Sequence, residues 1–179
     1  LGTFIDNHHV KIQKSNDETK TIYAENIIIA TGSKPRTIPN IDVDEKIIMT
    51  SDGVDHMKSF PKSMVIVGAG VIGCEYATIF SNFGKTKVYL IDRSDRILPF
   101  EDTDISDMIS KNLKEKGVTI HNKAQLERLE VKDGEVEYEL SYKDGKKEII
   151  RVEKALLSVG RKLCIDGLKM ENAGVTLSK

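Results

Sequence analysis

Three glycines, Gly68, Gly70 and Gly73, stand at G-x-G-x-x-G spacing, and an acid, Asp92, follows 19 residues beyond the third. The chemistry this pattern suits is the holding of a phosphate-bearing nucleotide. The first glycine makes a tight turn, the second lets the backbone approach a pyrophosphate, and the third lets helix and strand pack closely. A helix opened by such a turn aims its N–H groups and the positive end of its dipole at phosphate. A carboxylate at position 92 is placed to accept hydrogen bonds from the ribose hydroxyls of NAD and to repel a 2′-phosphate. Arg93, beside it, has the opposite preference, and Asp92 outweighs it by holding the strand end. No other residue set carries a comparable pattern. Cys74 and Cys164 are 90 positions apart with no C-x-x-C or metal-ligand spacing, so both are expected as unpaired thiols, Cys74 as a small apolar filler. His8, His9, His56 and His121 lack a partner motif, and no metal site is expected.

The elements that must position the glycines follow from periodicity. Met64–Val67 is a short, β-branched run suited to a parallel strand covered on both faces. The spacing of Ile72, Tyr76, Ile79, Phe80 and Phe83 predicts a helix from Val71 to Phe83 with that apolar stripe, stopped by Gly84. Val88–Ile91 is the next strand and ends at Asp92. A second helix starts near Asp102, buries Ile105, Met108, Ile109 and Leu113, and closes at Gly117, before a third parallel strand over Val118–His121. Leu126–Val131, Val136–Tyr142 and Lys147–Val152 alternate apolar with polar and are split by Asp133-Gly134 and Asp144-Gly145, which predicts a three-stranded antiparallel meander. Lys154–Val159 reads as a buried strand ending at Gly160, and echoes Asn26–Thr31, a buried strand ending at Gly32. Thr3–Gln13 and Thr21–Tyr23 read as short strands around the polar turn Lys14–Lys20, and Ser51 as the N-cap of a helical turn over Asp52–Met57.

The chain has 179 residues, 39% hydrophobic and 31% charged, enough to bury a sizeable core. Its net charge of −1 leaves no field to draw nucleic acid or an anionic membrane surface. The lysines between 143 and 147 read as a solvated hairpin end. No apolar run is long enough to span a membrane and no signal peptide is visible, so the expected location is cytoplasmic. The sequence opens at Leu1 inside a strand-like stretch, which reads as a fragment of something longer.

Four segments in order resemble the pyridine nucleotide-disulfide oxidoreductases, the FAD- and NAD-linked reductases, and within them the branch that oxidises dihydrolipoamide. They are IIIATGSKP ending at Pro35, VIVGAGVIGCEYA from Val65, DRILPFEDTDIS from Asp95, and ALLSVGRKLCIDGLKMENAGV from Ala155. Gly73 in place of alanine and Val71 in place of a tyrosine point to the lipoamide branch. The resemblance implies an α/β fold, a Rossmann-like three-layer ββα sandwich with a parallel sheet, helices on one face and an antiparallel β-meander on the other. It implies a partial FAD-domain segment over 1–45, an NAD-binding domain over 46–160, and a return toward the FAD domain over 161–179. It places Gly68, Ala69, Gly70, Val71, Ile72, Gly73, Asp92, Gln125 and Gly160 at the NAD site, and Gly2, Thr31, Gly32 and Ser33 along FAD. It puts Glu75 in a catalytic position where nicotinamide meets flavin. The implied reaction passes electrons from a dithiol, such as a lipoyl group, through FAD to NAD+. The full-length protein would be a homodimer. The FAD glycine loop, redox cysteine pair and dimer domain of the family have no counterpart in this chain, so the fragment alone is expected to be monomeric and inactive. Another flavoprotein disulfide reductase, an NADH oxidase, or a non-catalytic NADH-responsive binding protein are the alternatives. Lys162, Leu163 and Cys164 depart from the proline and asparagine usual after Gly160-Arg161, which puts the geometry of the return segment in question.

Overall fold

A computed structural model describes residues 1–177 and divides the chain into two compact units, residues 1–34 with the segment from 162 onward, and residues 35–161. In the first unit β1 (Gly2–Phe4), β2 (His9–Gln13) and β3 (Thr19–Tyr23) form an antiparallel sheet in that order. The strand expected over Thr3–Gln13 is broken in the middle because the Asp6 carboxylate accepts the N–H groups of His8 and His9, each at 2.8 Å, and turns the chain back on itself. Asn26–Thr31 is a larger departure: it forms no strand, and Ile28 is 92% exposed. A β-branched run becomes a strand only against a paired neighbour, and none pairs with it among the described residues. The next strand, β4, is Ser33–Pro35.

The second unit begins with β5 (Ile48–Met49) and a single turn, α1 (Ser51–Val54). Its cap is Thr50 rather than Ser51: Thr50 has the extended backbone of a capping residue, and its hydroxyl oxygen accepts the Asp52 N–H at 3.3 Å. Then follow β6 (Ser63–Val67), α2 (Val71–Asn82), β7 (Lys87–Ile91), α3 (Thr103–Glu115) and β8 (Thr119–His121). The meander is β9 (Gln125–Lys132), β10 (Glu135–Ser141) and β11 (Lys147–Val152), and β12 (Lys154–Leu157) returns to the parallel sheet, whose order is β5-β12-β6-β7-β8. The last strand, β13 (Arg161–Leu163), pairs with β4, so the departing residues Lys162 and Leu163 are accommodated as strand.

The three-layer sandwich is the fold expected. Met64, Ile66, Val88, Leu90 and Leu156 face the helices, where they meet Cys74, Ala77, Phe80 and Leu113. Their neighbours Val65, Val67, Ile91, Ala155 and Leu157 face the meander and meet Leu129, Val136, Tyr138 and Leu140. Both faces of each strand are therefore covered, which is why the strands read as continuous apolar runs.

The helix stripes hold at Tyr76, Phe80, Ile109 and Leu113 and depart from expectation elsewhere. On α2 the buried residues are Gly73, Cys74, Ala77, Phe80 and Ser81, while Ile79 and Phe83 point outward. Small side chains let α2 lie close on the sheet, and Phe83 instead packs against Phe60, ring centroids 4.6 Å apart. On α3, Ile105 and Met108 are exposed, and Ser106 takes the buried position because its hydroxyl donates to the Ile97 carbonyl at 2.6 Å.

The outer face of the meander carries an ion network centred on Glu137, only 8% exposed. Its carboxylate accepts from Lys132 at 2.6 Å, Arg128 at 2.8 Å and Arg151 at 3.0 Å, and these bonds hold its pKa down to about 2 from an ordinary 4.5. A depressed carboxyl pKa stabilises the fold above the unfolded value, and that contribution disappears as pH falls through the folded one. Glu137→Gln is accordingly expected to melt at lower temperature than the unmutated chain at pH 7. The gap should close as the pH is taken from about 4.5 toward 2; a gap independent of pH in paired melting curves would disprove the network's role.

Candidate functional site

The turn between β6 and α2 is held from the ends of two neighbouring strands, β7 and β12. The Gly68 N–H donates to the Ile91 carbonyl at 2.8 Å, and the Ala69 N–H donates to Asp92 Oδ2 at 2.7 Å. From β12's end the Ser158 hydroxyl donates to the Gly68 carbonyl at 2.8 Å. The Ala69 carbonyl accepts the Leu98 N–H at 2.8 Å, and the Gly70 carbonyl accepts the Cys74 N–H at 2.9 Å. A backbone tied at so many points is preorganised before any ligand arrives.

Each glycine has a separate reason to be there. Gly68 has φ +100°, and a β-carbon on it would stand 2.6 Å from the Ser158 carbonyl oxygen. At Gly73 a β-carbon would stand 1.9 Å from the Gly68 carbonyl oxygen. Gly70 is unlike both: its φ of −76° is open to any residue, and nothing lies within 4 Å of its β-carbon position. What glycine preserves there is empty space. That space belongs to a cleft of about 740 Å³ lined by Gly68, Gly70, Val71 and Ile72 together with Asp92, Arg93 and Gly160, a size ordinary for a small-molecule site. α2 starts with no side chain capping it, so its first-turn N–H groups remain for a ligand at the cleft.

Asp92 does more than line the cleft. Oδ1 accepts the Ser94 N–H at 2.8 Å while Oδ2 holds Ala69, and the Asp92 backbone bonds to His121 and Ala124, each at 3.0 Å. The Cys74 thiol, behind the turn, donates to the Ala69 carbonyl at 3.4 Å. Burial, and then the charge of Asp92, push its pKa up to about 11, so it stays protonated at neutral pH; neither cysteine forms a disulfide.

The remaining expected site residues fall in different places. Gln125 is exposed at the start of β9, and its neighbours Ala124 and Leu126 line the cleft instead. Glu75 is exposed on α2 and lines a second groove of about 610 Å³, between α2 and α3, with Val71 at its edge. Gly2, Thr31, Gly32 and Ser33 belong to the first unit, where the Gly32 carbonyl accepts the Cys164 N–H at 3.0 Å. Sequence reasoning passed over Ser158, the segment Arg36–Pro39 and Pro99-Phe100, all of which line the cleft. Ser158 alone carried a signal, two residues before Gly160 at the end of a buried run.

The sheet with its two covers is that of the FAD-dependent pyridine nucleotide-disulphide oxidoreductases. The chain is a member of that family, whose profile matches residues 2–179. It is 36% identical over 169 residues to dihydrolipoyl dehydrogenase of Bacillus subtilis, a match covering 93% of this chain and 35% of that protein. With the soluble pyridine nucleotide transhydrogenase of Marinobacter nauticus it shares 39% identity over 175 residues, 98% of this chain and 36% of the other. Among solved structures, LpdA of Mycobacterium tuberculosis superposes with TM-score 0.84 at 25% identity, over 99% of this chain and 39% of that one. The HOCl-induced flavoprotein disulfide reductase RclA of Escherichia coli gives TM-score 0.78 at 29% identity, over 100% and 39%. The chain thus spans little more than a third of the length of the curated relatives it matches.

The differing roles of the glycines can be separated by substitution. Gly70→Ala is expected to change stability by less than about 1 kcal/mol, because its φ suits alanine. It should still weaken NADH binding at least about tenfold, the equivalent of one lost hydrogen bond to a charged group. Gly68→Ala should lose about 1–3 kcal/mol of stability through backbone strain. Urea unfolding together with NADH titration of both variants checks this, and a Gly70→Ala chain that binds NADH normally would refute it.

Proposed function

We propose that this chain is the NAD-binding part of an FAD-dependent dihydrolipoamide dehydrogenase, with residues 46–160 forming the NAD domain and residues 1–45 and 161–179 belonging to an FAD domain. The observation that carries the reading is the open approach over Gly70 to an uncapped helix start, with the Asp92 carboxylate lining the same cleft. In it, the backbone from Gly68 to Gly73, Ala69 included, holds the pyrophosphate, and Val71 and Ile72 contribute N–H groups from the first turn. Asp92 keeps lone pairs beyond those given to Ala69 and Ser94, since each carboxylate oxygen accepts more than one bond, and these take the ribose hydroxyls. Gly160, with φ +108°, keeps the opposite wall free of a side chain, and Gln125 borders the adenine end. Glu75 orients the nicotinamide end near the flavin. When bound, FAD supplies the step from a dithiol such as a lipoyl group to NAD+.

The first unit has no α-helix among the described residues, and the sequence has no second G-x-G-x-x-G. Gly2, Thr31, Gly32 and Ser33 would border FAD without making a pyrophosphate cradle of their own. The 179-residue chain is therefore expected to purify colourless and monomeric, and stoichiometric flavin in the absorption spectrum would contradict this. Among the described residues no helix is long and apolar enough to cross a membrane; a cytoplasmic setting is part of the proposal.

A second reading rests on the 39% identity to a soluble pyridine nucleotide transhydrogenase, against 36% for dihydrolipoyl dehydrogenase. In it, electrons pass between pyridine nucleotides, and the cleft must tolerate a 2′-phosphate. Cofactor preference separates the two. Under the leading reading NADH binds at least about tenfold more tightly than NADPH, the factor set by one hydrogen bond to a charged acceptor. Asp92→Ser should weaken NADH and narrow the ratio. Calorimetric titration of both cofactors into both proteins decides: equal affinities in the unmutated chain favour the second reading, and a ratio unchanged by the substitution removes Asp92 as the ribose reader.

A further inference from the structure

The cleft holds an imbalance of charge that the ribose-reading acid does not resolve. Asp92 is its one carboxylate, and both of its oxygens already accept backbone N–H groups. Two guanidinium groups, Arg36 and Arg93, line the same cleft, and neither forms an ion pair among the described residues. Other arginines of the chain are committed: Arg128 and Arg151 to the Glu137 network, Arg96 to the carbonyls of Pro99 and Glu101. A pocket that keeps two unpaired cations selects an anionic ligand.

The two cations come to the cleft on different segments. Arg93 follows Asp92 and so belongs to the ribose end. Arg36 is anchored by its backbone at Gly160: its main-chain N–H donates to the Gly160 carbonyl at 2.9 Å. Gly160 closes the Ser158–Gly160 segment, in which the Ser158 hydroxyl holds the Gly68 carbonyl and the Val159 nitrogen lies 3.3 Å from the β-carbon position of Gly68. The Arg36 side chain is exposed at the cleft, so its fork can turn onto a ligand without leaving a buried partner.

We infer that Arg36 is a pyrophosphate-binding residue of this cleft. The inference rests on the dinucleotide reading above and adds to it. The helix start and the open approach over Gly70 receive the phosphates from one side. The Arg36 guanidinium donates to their oxygens from the other, in the bidentate geometry that arginine offers phosphate. Because the pyrophosphate is common to both cofactors, Arg36 contributes affinity without discriminating between them.

The test is titration of NADH and NADPH into the unmutated 179-residue chain and into Arg36→Met, Arg36→Lys and Arg93→Met, with melting curves for each. Arg36→Met is expected to weaken both cofactors by the same factor, about tenfold, with unchanged melting and a shallower salt dependence. Arg36→Lys should recover part of the loss, and Arg93→Met should fall chiefly on NADPH. Arg36→Met binding NADH as tightly as the unmutated chain would overturn the inference, as would a loss confined to NADPH. Failure of the unmutated chain to bind NADH would overturn the dinucleotide reading itself, a result distinct from either.

Discussion

The carbonyl oxygen of Gly68 lies 1.9 Å from where a β-carbon on Gly73 would stand, so the end of β6 and the first turn of α2 approach as closely as backbone allows. That approach sets the direction of α2. It also sets where its first-turn N–H groups emerge, and therefore where the proposed pyrophosphate would be received. The same turn meets β12 through Ser158 and β7 through Ile91 and Asp92. The ends of β6, β7 and β12 thus converge on Gly68 and Ala69, and a shift in any of them would move the cleft. The cleft lies outside the carboxyl ends of the parallel strands, as open α/β sheets generally place their ligands.

Covering the sheet on both faces follows from its composition, but the two covers are built differently. On the helix side small residues, Gly73, Cys74, Ala77 and Ser81, let α2 sink toward the strands. On the meander side large side chains, Tyr138, Leu140 and Leu129, fill a wider gap between two sheets. Tyr138 is fully buried with no partner for its hydroxyl among the described residues, and burial raises its pKa, so it acts there as an aromatic filler that stays neutral. The charged face of the meander is turned outward, where Glu137 gathers three cations and leaves the inner face apolar.

Local patterns were legible where one dominant signal decided them. The glycine turn, both meander hairpins and four of the five strands of the parallel sheet could be read, all but β5, because turn chemistry and apolar runs are properties of neighbouring residues. The helix stripes were misread in part, Phe80 and Leu113 being buried as expected, because periodicity counts size and not fit. Ile79, Phe83, Ile105 and Met108 score as core, yet the sheet admits the smaller residues beside them. Asn26–Thr31 was misread for a related reason, since an apolar β-branched run cannot show whether a partner strand exists. Within the site, Gly68, Gly70, Gly73 and Asp92 stood out by type and spacing. Ser158 carried only its place two residues before Gly160 and Arg36 no signal, because their placement at the cleft comes from β12 lying beside β6 and from Arg36 bonding to Gly160, and sheet order is not written locally.

Asp92 shows how affinity and selectivity become tied together. A ribose-reading acid is usually pictured at the far end of a strand, remote from the phosphate turn. Here its Oδ2 accepts the Ala69 N–H at 2.7 Å, so the group that would read the ribose also fixes the turn that would hold the phosphates. Removing the carboxylate leaves a buried N–H without its acceptor, at a cost of about 1–3 kcal/mol, and loosens the turn for every dinucleotide alike. Selectivity changed at position 92 therefore carries a loss of affinity with it. Arg93 has no such second duty, since neither its charge nor its hydrogen bonds hold the turn among the described residues. On the dinucleotide reading, then, the acid would support affinity for any cofactor, and the neighbouring cation would be the position where preference could drift at little structural cost.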